Sequence, residues 1–353
     1  MGHPEIRLPH FVFFEALAQE ESEDTPEWRT ISAGLLTLRY FDAWVLDGRR
    51  GSQGDSWGAR LVRRRVEEIP PGRAIRALLA SILDAMGSKT CAGPAAVAPR
   101  LMAYARALQF EAKWSLAADV YGTVISYSDA ATDPDLVISA HMQLGACLRV
   151  LAQWEEAVGA YAVAGTVAES VGDVMGVLRA RIAEANLAMA RGNLPRAEVL
   201  LDSTIDSASC DELAEVRAIA LQDRGIIARQ RGDFNLAISY TYAALRSFED
   251  QVAKDRALAD LAATFYDIGL LSAAREANLM LAATAQEQYT RWVAVINLLE
   301  IAAFDGREPV FEQYKRELAA ADLPPVLSAY YNFYVGQGYR MLKIGRASCR
   351  ERV

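Results

Sequence analysis

Residues 141–164 read HMQLGACLRVLAQWEEAVGAYAVA, and the spacing of small and large side chains in this stretch decides the fold. Leu144, Leu148 and Tyr161 are large; Gly145, Ala157 and Ala164 are small. Two Pro-free amphipathic segments flank a short break at Gln153-Trp154, which is the pattern of two helices joined by a tight turn. Small residues on facing helices let the backbones approach, and large ones fill the space between neighbouring pairs.

The alanine recurs. Ala117, Ala157, Ala197, Ala237 and Ala274 follow one another at intervals of 40, 40, 40 and 37 residues. A register held at that length is the signature of a stacked repeat. A turn signal precedes each alanine: Lys113-Trp114, Gln153-Trp154, Gly192-Asn193-Leu194, Gly232-Asp233-Phe234 and Gly269-Leu270-Leu271. Glycine here admits the positive φ that closes a helix C-terminus.

The unit resembles the tetratricopeptide repeat. That family's pattern, W-x2-L-G-x2-Y followed by A-x3-F and A, is matched best with His141 in the Trp slot, then Leu144, Gly145, Leu148, Ala157, Tyr161 and Ala164. Other units match more loosely. Arg181 stands in an aromatic slot of the third, Thr241 replaces the second-helix aromatic of the fourth, and Phe311 fills the alanine slot of the sixth, which puts its register in doubt. The resemblance covers residues 98–343 and implies an all-α fold, a right-handed superhelical α-solenoid of antiparallel helix pairs. Units near 40 residues are similar to those of bacterial signal-peptide receptors and of the sensor halves of large transcription activators.

The first 92 residues lie off the register and read as a helical cap or docking region, since a solenoid needs its end face covered. Helices are expected over residues 28–46, ended by Asp47-Gly48, and over 55–69 and 72–86, with a short one over 8–17. Residues 87–97 are the linker candidate. The repeat array is expected to occupy residues 93–343, its last repeat cut after the first helix. The final ten residues, IGRASCRERV, resemble a translated short-read sequencing adapter and are expected to lie outside the fold, so that an effector domain following the array would be missing.

The 353 residues carry 37 basic and 45 acidic side chains, a net charge of -8. Without Arg346, Arg350, Arg352 and Glu351 the balance is 34 against 44, or -10. Neither value suits sequence-independent binding to nucleic acid or an anionic membrane, which needs excess Lys and Arg. Cys91, Cys147, Cys210 and Cys349 are scattered singly, which fits a reducing cytoplasm and suggests neither a zinc site nor a disulfide framework. No apolar run reaches the ~20 residues that span a bilayer.

One motif has a catalytic spacing. Gly54-Asp55-Ser56-Trp57-Gly58 fits the G-x-S-x-G nucleophile elbow, but that chemistry needs a preceding strand and a downstream acid and His. A polar loop precedes it, so helix capping by Asp55 or Ser56 is the favoured reading. His141 occupies a packing slot and is expected in the core. His3 and His10 are expected near a mobile terminus. The Arg60, Arg63, Arg64 and Arg65 cluster points several ways around a helix and reads as a solvated face. No cofactor motif is present, and no enzyme activity is expected.

In the resembling family the first helix of each pair lines a concave groove. By register this implies Met102, Arg106 and Gln109 in the first repeat, Met142 and Arg149 in the second, and Asn186, Met189 and Arg179 in the third. The fourth supplies Gln222 and Arg229, and the fifth Arg256 and Tyr266. Methionines adapt to varied apolar groups, and arginines and Asn186 can hold backbone amides or carboxylates. The expected partner is therefore a protein or peptide segment, an acidic one included, bound either by a scaffold or by the sensor module of a regulator.

Overall fold

A seventeen-residue helix, a three-residue turn and a second helix form the recurring element. The computed structural model describes residues 8–20, 22, 25–50, 56–88, 93–321 and 323–342. Before the repeats come α1 (Phe11–Gln19), α2 (Pro26–Arg50), α3 (Ser56–Glu67) and α4 (Ala74–Gly87). Six pairs follow: α5 (Pro94–Phe110) with α6 (Trp114–Ser126), α7 (Pro134–Val150) with α8 (Trp154–Ser170), and α9 (Val174–Ala190) with α10 (Leu194–Ser207). Then come α11 (Ala214–Gln230) with α12 (Phe234–Ser247), α13 (Gln251–Asp267) with α14 (Leu271–Thr284), α15 (Gln288–Phe304) with α16 (Glu308–Ala319), and finally α17 (Pro325–Met341). Among the described residues there is no strand, and no helix is long and apolar enough to cross a membrane. The fold is an all-α array of helical repeats.

The first helix of every pair, and α17, has 17 residues. Each turn inside a pair has its middle residue at positive φ: Ala112, Ala152, Gly192, Gly232, Gly269 and Gly306. The same two backbone bonds close each turn. The Gly232 N–H donates to the Arg229 carbonyl at 3.0 Å and the Asp233 N–H to the Ala228 carbonyl at 2.9 Å, with equivalents in the other five. This satisfies carbonyls that a helix end otherwise leaves open. In the first two pairs alanine, not glycine, takes the left-handed conformation, with φ of 59° and 57°.

The recurring alanines are the packing points. Ala117, Ala157, Ala197, Ala237 and Ala274 are all fully buried. Facing them, Gly145 has no room for a Cβ because Tyr161 fills that space, and Gly225 meets Thr241 in the same way. The fourth pair thus keeps its close approach although its aromatic is lost. Phe311 is also fully buried, and its ring occupies the space beside Gly338 of α17. The turn at Gly306 and the helix start at Glu308 keep the sixth pair in register, so the doubt about it is removed.

Contacts divide the chain into two bodies, residues 1–180 and 181–353. In the N-terminal body one apolar cluster joins α1, α2, α3 and α4 to α5, α6 and α7, with Phe13, Leu38, Phe41, Ile82, Leu101 and Tyr121 at its centre. Each such fully buried side chain contributes roughly 1.5–3 kcal/mol. α2 continues past the expected stop at Asp47-Gly48 to Arg50; one interior glycine costs only about 1 kcal/mol, too little to end a long helix. Ser56 opens α3, while Gly54 and Asp55 lie outside the described residues.

His10 departs from expectation. It is 7% exposed, and its two ring nitrogens face Asp119 of α6 and, at 3.1 Å, Asp42 of α2. Tyr127 donates to the other Asp42 oxygen at 3.0 Å. Burial opposes a charge on the ring, but the hydrogen bonds it donates to Asp119 and Asp42, with their negative charge, overcome this and raise the pKa to about 9. A buried imidazolium thus ties α1 to α2 and α6. His3 lies outside the described residues. His141 is half-buried, and burial keeps its pKa below the usual value. In the C-terminal body one cluster is mostly alanine, Ala218, Ala244 and Ala257 with Phe248, and another is built of Val295, Ile296, Leu318 and Leu327.

Candidate functional site

The common length of the first helices gives their side chains a common address. Gln109, Arg149, Met189, Arg229 and Tyr266 all fall at the sixteenth position, in the last turn. A cation there also benefits from the helix dipole. Several of these side chains are held by the next first helix along the chain. Gln109 Nε2 donates to Cys147 Sγ at 3.2 Å, and Gln109 Oε1 accepts from Tyr121 Oη at 2.8 Å. Arg229 Nη1 donates to Asp267 at 2.8 Å, and Tyr266 Oη donates to Glu300 at 2.9 Å. At the ninth position, Gln222 Nε2 donates to Asp260 at 2.6 Å. These bonds are rungs between successive first helices, α5 to α7, α11 to α13 and α13 to α15.

In the N-terminal body the expected lining set disperses. Met102 is 2% exposed and belongs to the apolar core, so it cannot meet a partner. Met142 is half-buried and packs against the cluster of Ile138, Ala164 and Ala168. The burial of Met102 has a physical cause: at the ninth position, beside the close helix approach, it fills the gap between pairs. Arg106 is exposed and donates to the Met102 carbonyl at 3.3 Å. Arg149 lies against Tyr161; burial pushes the Tyr161 pKa up, and the hydrogen-bonded guanidinium works against that rise. Arg149 Nε is buried and has no hydrogen-bond partner among the described residues.

In the C-terminal body five of the expected residues, Asn186, Gln222, Arg229, Arg256 and Tyr266, line two cavities. The larger, about 750 Å³, is lined by Asn186, Gln222 and Arg256. Six carboxylates share the lining: Asp211, Glu212, Glu215, Asp223, Glu249 and Asp250. The one guanidinium, Arg256, is paired with Glu287 at 3.1 Å. Glu215 and Asp223 have partners of their own, so the acidic character of the lining rests on Asp211, Glu212, Glu249 and Asp250. Four of these acids lie in the connections between pairs, Asp211-Glu212 ahead of α11 and Glu249-Asp250 ahead of α13. A search confined to helix faces misses them; recurrence of an acidic dipeptide before successive first helices is the signal that could have found them.

The smaller cavity, about 190 Å³, is lined by Arg229 and Tyr266 together with Asn278, Asn297, Glu300 and Tyr334. Asn278 is 2% exposed; it donates to the Ala274 carbonyl at 2.8 Å and accepts from Asn297 at 3.1 Å. Burial raises the pKa of Glu300, and hydrogen bonds from Tyr266 and Tyr334 partly reverse the rise. Met189 is half-buried and lines neither cavity, and neither does Arg179. Cys147 is buried and Cys210 exposed; both are free thiols.

Among solved structures the chain is similar to a Rap protein complexed with competence and sporulation factor, with TM-score 0.50 and 14% identity over 88% of this chain and 92% of that one. It is also similar to NprR in complex with its cognate peptide NprX, with TM-score 0.49 and 10% identity over 96% and 99%. A third, BtubC from P. vanneervenii, gives TM-score 0.46 and 16% identity over 60% and 91%. No protein-family model and no curated protein sequence matches. At 14% identity the Rap likeness shows a fold, and the fold is that of TPR-like helical repeats.

Proposed function

We propose that this chain is a non-enzymatic interaction scaffold that binds a basic segment of polypeptide along the first helices of its C-terminal body, with residues 1–92 as the cap of the array. The observation that carries the proposal is the cavity of about 750 Å³ holding Asp211, Glu212, Glu249 and Asp250 against one already paired guanidinium. Asn186 and Gln222 add amide groups suited to peptide backbone, and Ile219 and Phe248 supply apolar wall. A Rap protein of the same fold holds a second molecule, the competence and sporulation factor, which supports a binding role for such an array.

A sensor role is the second reading, favoured by the rungs. Gln222 lines the cavity and also holds Asp260 of the next first helix. A ligand that took over the Gln222 amide would couple its own binding to the packing of α11 on α13.

The test is fluorescence polarisation with labelled random dodecapeptides, one pool rich in Lys and Arg and one rich in Asp and Glu. The basic pool binds, and a Glu212→Lys, Asp250→Lys variant loses at least tenfold in affinity. Preference for the acidic pool, or equal binding by the variant, refutes the proposal. Small-angle scattering with and without the bound basic peptide separates the two readings: unchanged dimensions leave a scaffold, and compaction marks a sensor.

A further inference from the structure

The smaller cavity of the C-terminal body has features the larger one lacks. At about 190 Å³ it has the room of roughly six waters at about 30 Å³ each, enough for one side chain and not for a folded partner. At one wall is Glu300, half-buried, accepting from Tyr266 Oη at 2.9 Å and from Tyr334. A carboxylate has about four acceptor positions, so two remain for a further donor. Arg229 lines another wall, its charge matched by Asp267 at 2.8 Å, and its buried Nε–H has no hydrogen-bond acceptor. Asn278 and Asn297 bond to each other and complete a polar lining. With Arg229 and Asp267 cancelling, the uncompensated charge is that of Glu300.

We infer that this cavity is an anchor site for a single basic side chain, with Glu300 accepting its cation and Tyr266 and Tyr334 positioning that carboxylate. The two tyrosine hydroxyls hold Glu300 in one orientation, which removes an ordering cost from binding. Tyrosine rings beside a cation add a favourable quadrupole interaction. The guanidinium of arginine fits better than a point charge because its planar fork can reach both free carboxylate positions. The inference rests on the reading that the C-terminal body takes a basic segment, and it names one residue class of that segment.

The probe is Nα-acetyl-L-arginine amide, titrated by calorimetry into the full chain. Its neutral counterpart, Nα-acetyl-L-citrulline amide, has nearly the same shape without the charge. Wild type binds the arginine probe with a Kd no weaker than about 10 mM and binds the citrulline probe at least tenfold more weakly. Glu300→Gln, which keeps an acceptor for both tyrosines, loses at least tenfold for arginine and no longer discriminates. Glu212→Lys with Asp250→Lys changes the arginine Kd less than twofold while weakening the basic dodecapeptides at least tenfold, so failure at one cavity is separable from failure at the other. Absence of saturable arginine binding by wild type overturns the inference, as does equal binding of the two probes or an unchanged Kd in Glu300→Gln.

Discussion

The ring of Phe311 stands where a Cβ on Gly338 would have to be, so the two residues form a lock between α16 and α17 that admits no side chain on the glycine. Tyr339 packs edge-on to the same ring, at 5.9 Å between centroids. A large residue in the alanine slot has been accommodated by removing a side chain from the facing helix.

Gly338→Ala therefore forces the Phe311 ring to move and lowers stability by about 1–3 kcal/mol, as overpacked sites do. Gly336→Ala, two residues earlier and with open space around it, raises stability by about 0.5–1 kcal/mol through helix propensity. Urea unfolding of the two variants checks the contrast; equal effects of the same sign would show that the lock does not exist.

The left-handed alanines give a second expectation. Ala112→Gly and Ala152→Gly relieve a backbone cost of about 1–2 kcal/mol and lose about 0.4–1 kcal/mol to the freer unfolded chain. The net gain is about 0.5–1 kcal/mol for each. Gly192→Ala and Gly232→Ala, at the same place in later turns, lose a similar amount. Thermal unfolding of all four variants should show the two pairs moving in opposite directions.

The third expectation concerns pH. His10 has a folded pKa of about 9 against an unfolded value of about 6.5, so the folded state binds the proton more tightly. Its contribution is fully present below about pH 6.5 and is lost as pH rises through about 9; by linkage it amounts to at most about 3 kcal/mol. The charged groups facing the ring are Asp42 and Asp119, and Tyr127 donates to Asp42. Wild type should therefore lose urea resistance between pH 6.5 and 9.5. His10→Asn should be less stable at pH 6.5 and show a flatter profile. A parallel profile in the variant would mean that another group titrates.

The repeats were legible because alanine in the slot is a local necessity: Ala117, Ala157, Ala197, Ala237 and Ala274 must all be small where two backbones meet, and all are buried. The candidate site was less legible, for a geometric reason. A helix register tells which face a residue is on, but the offset between neighbouring first helices decides what it meets. Gln222 finds Asp260 and Arg229 finds Asp267, each 38 residues on, one position beyond the 37-residue interval between these two first helices, an offset that the repeat spacing does not give. Met102 carried the right periodicity and still fell into the core. His10 was beyond reach altogether, since its partners lie 32 and 109 residues away in sequence. The acids of the larger cavity sit in connections, where helical periodicity carries no information.

The bonds that close each turn have a consequence for how the chain behaves under load. The Gly232 and Asp233 amides reach back only three and five residues, so every hairpin is completed by its own neighbours and needs no distant segment to shut it. Drawn out by its ends in an optical trap, such a chain should yield in a staircase, each step releasing about one repeat of 40 residues or a small multiple of it, and should recoil by re-forming hairpins one after another once the force is dropped.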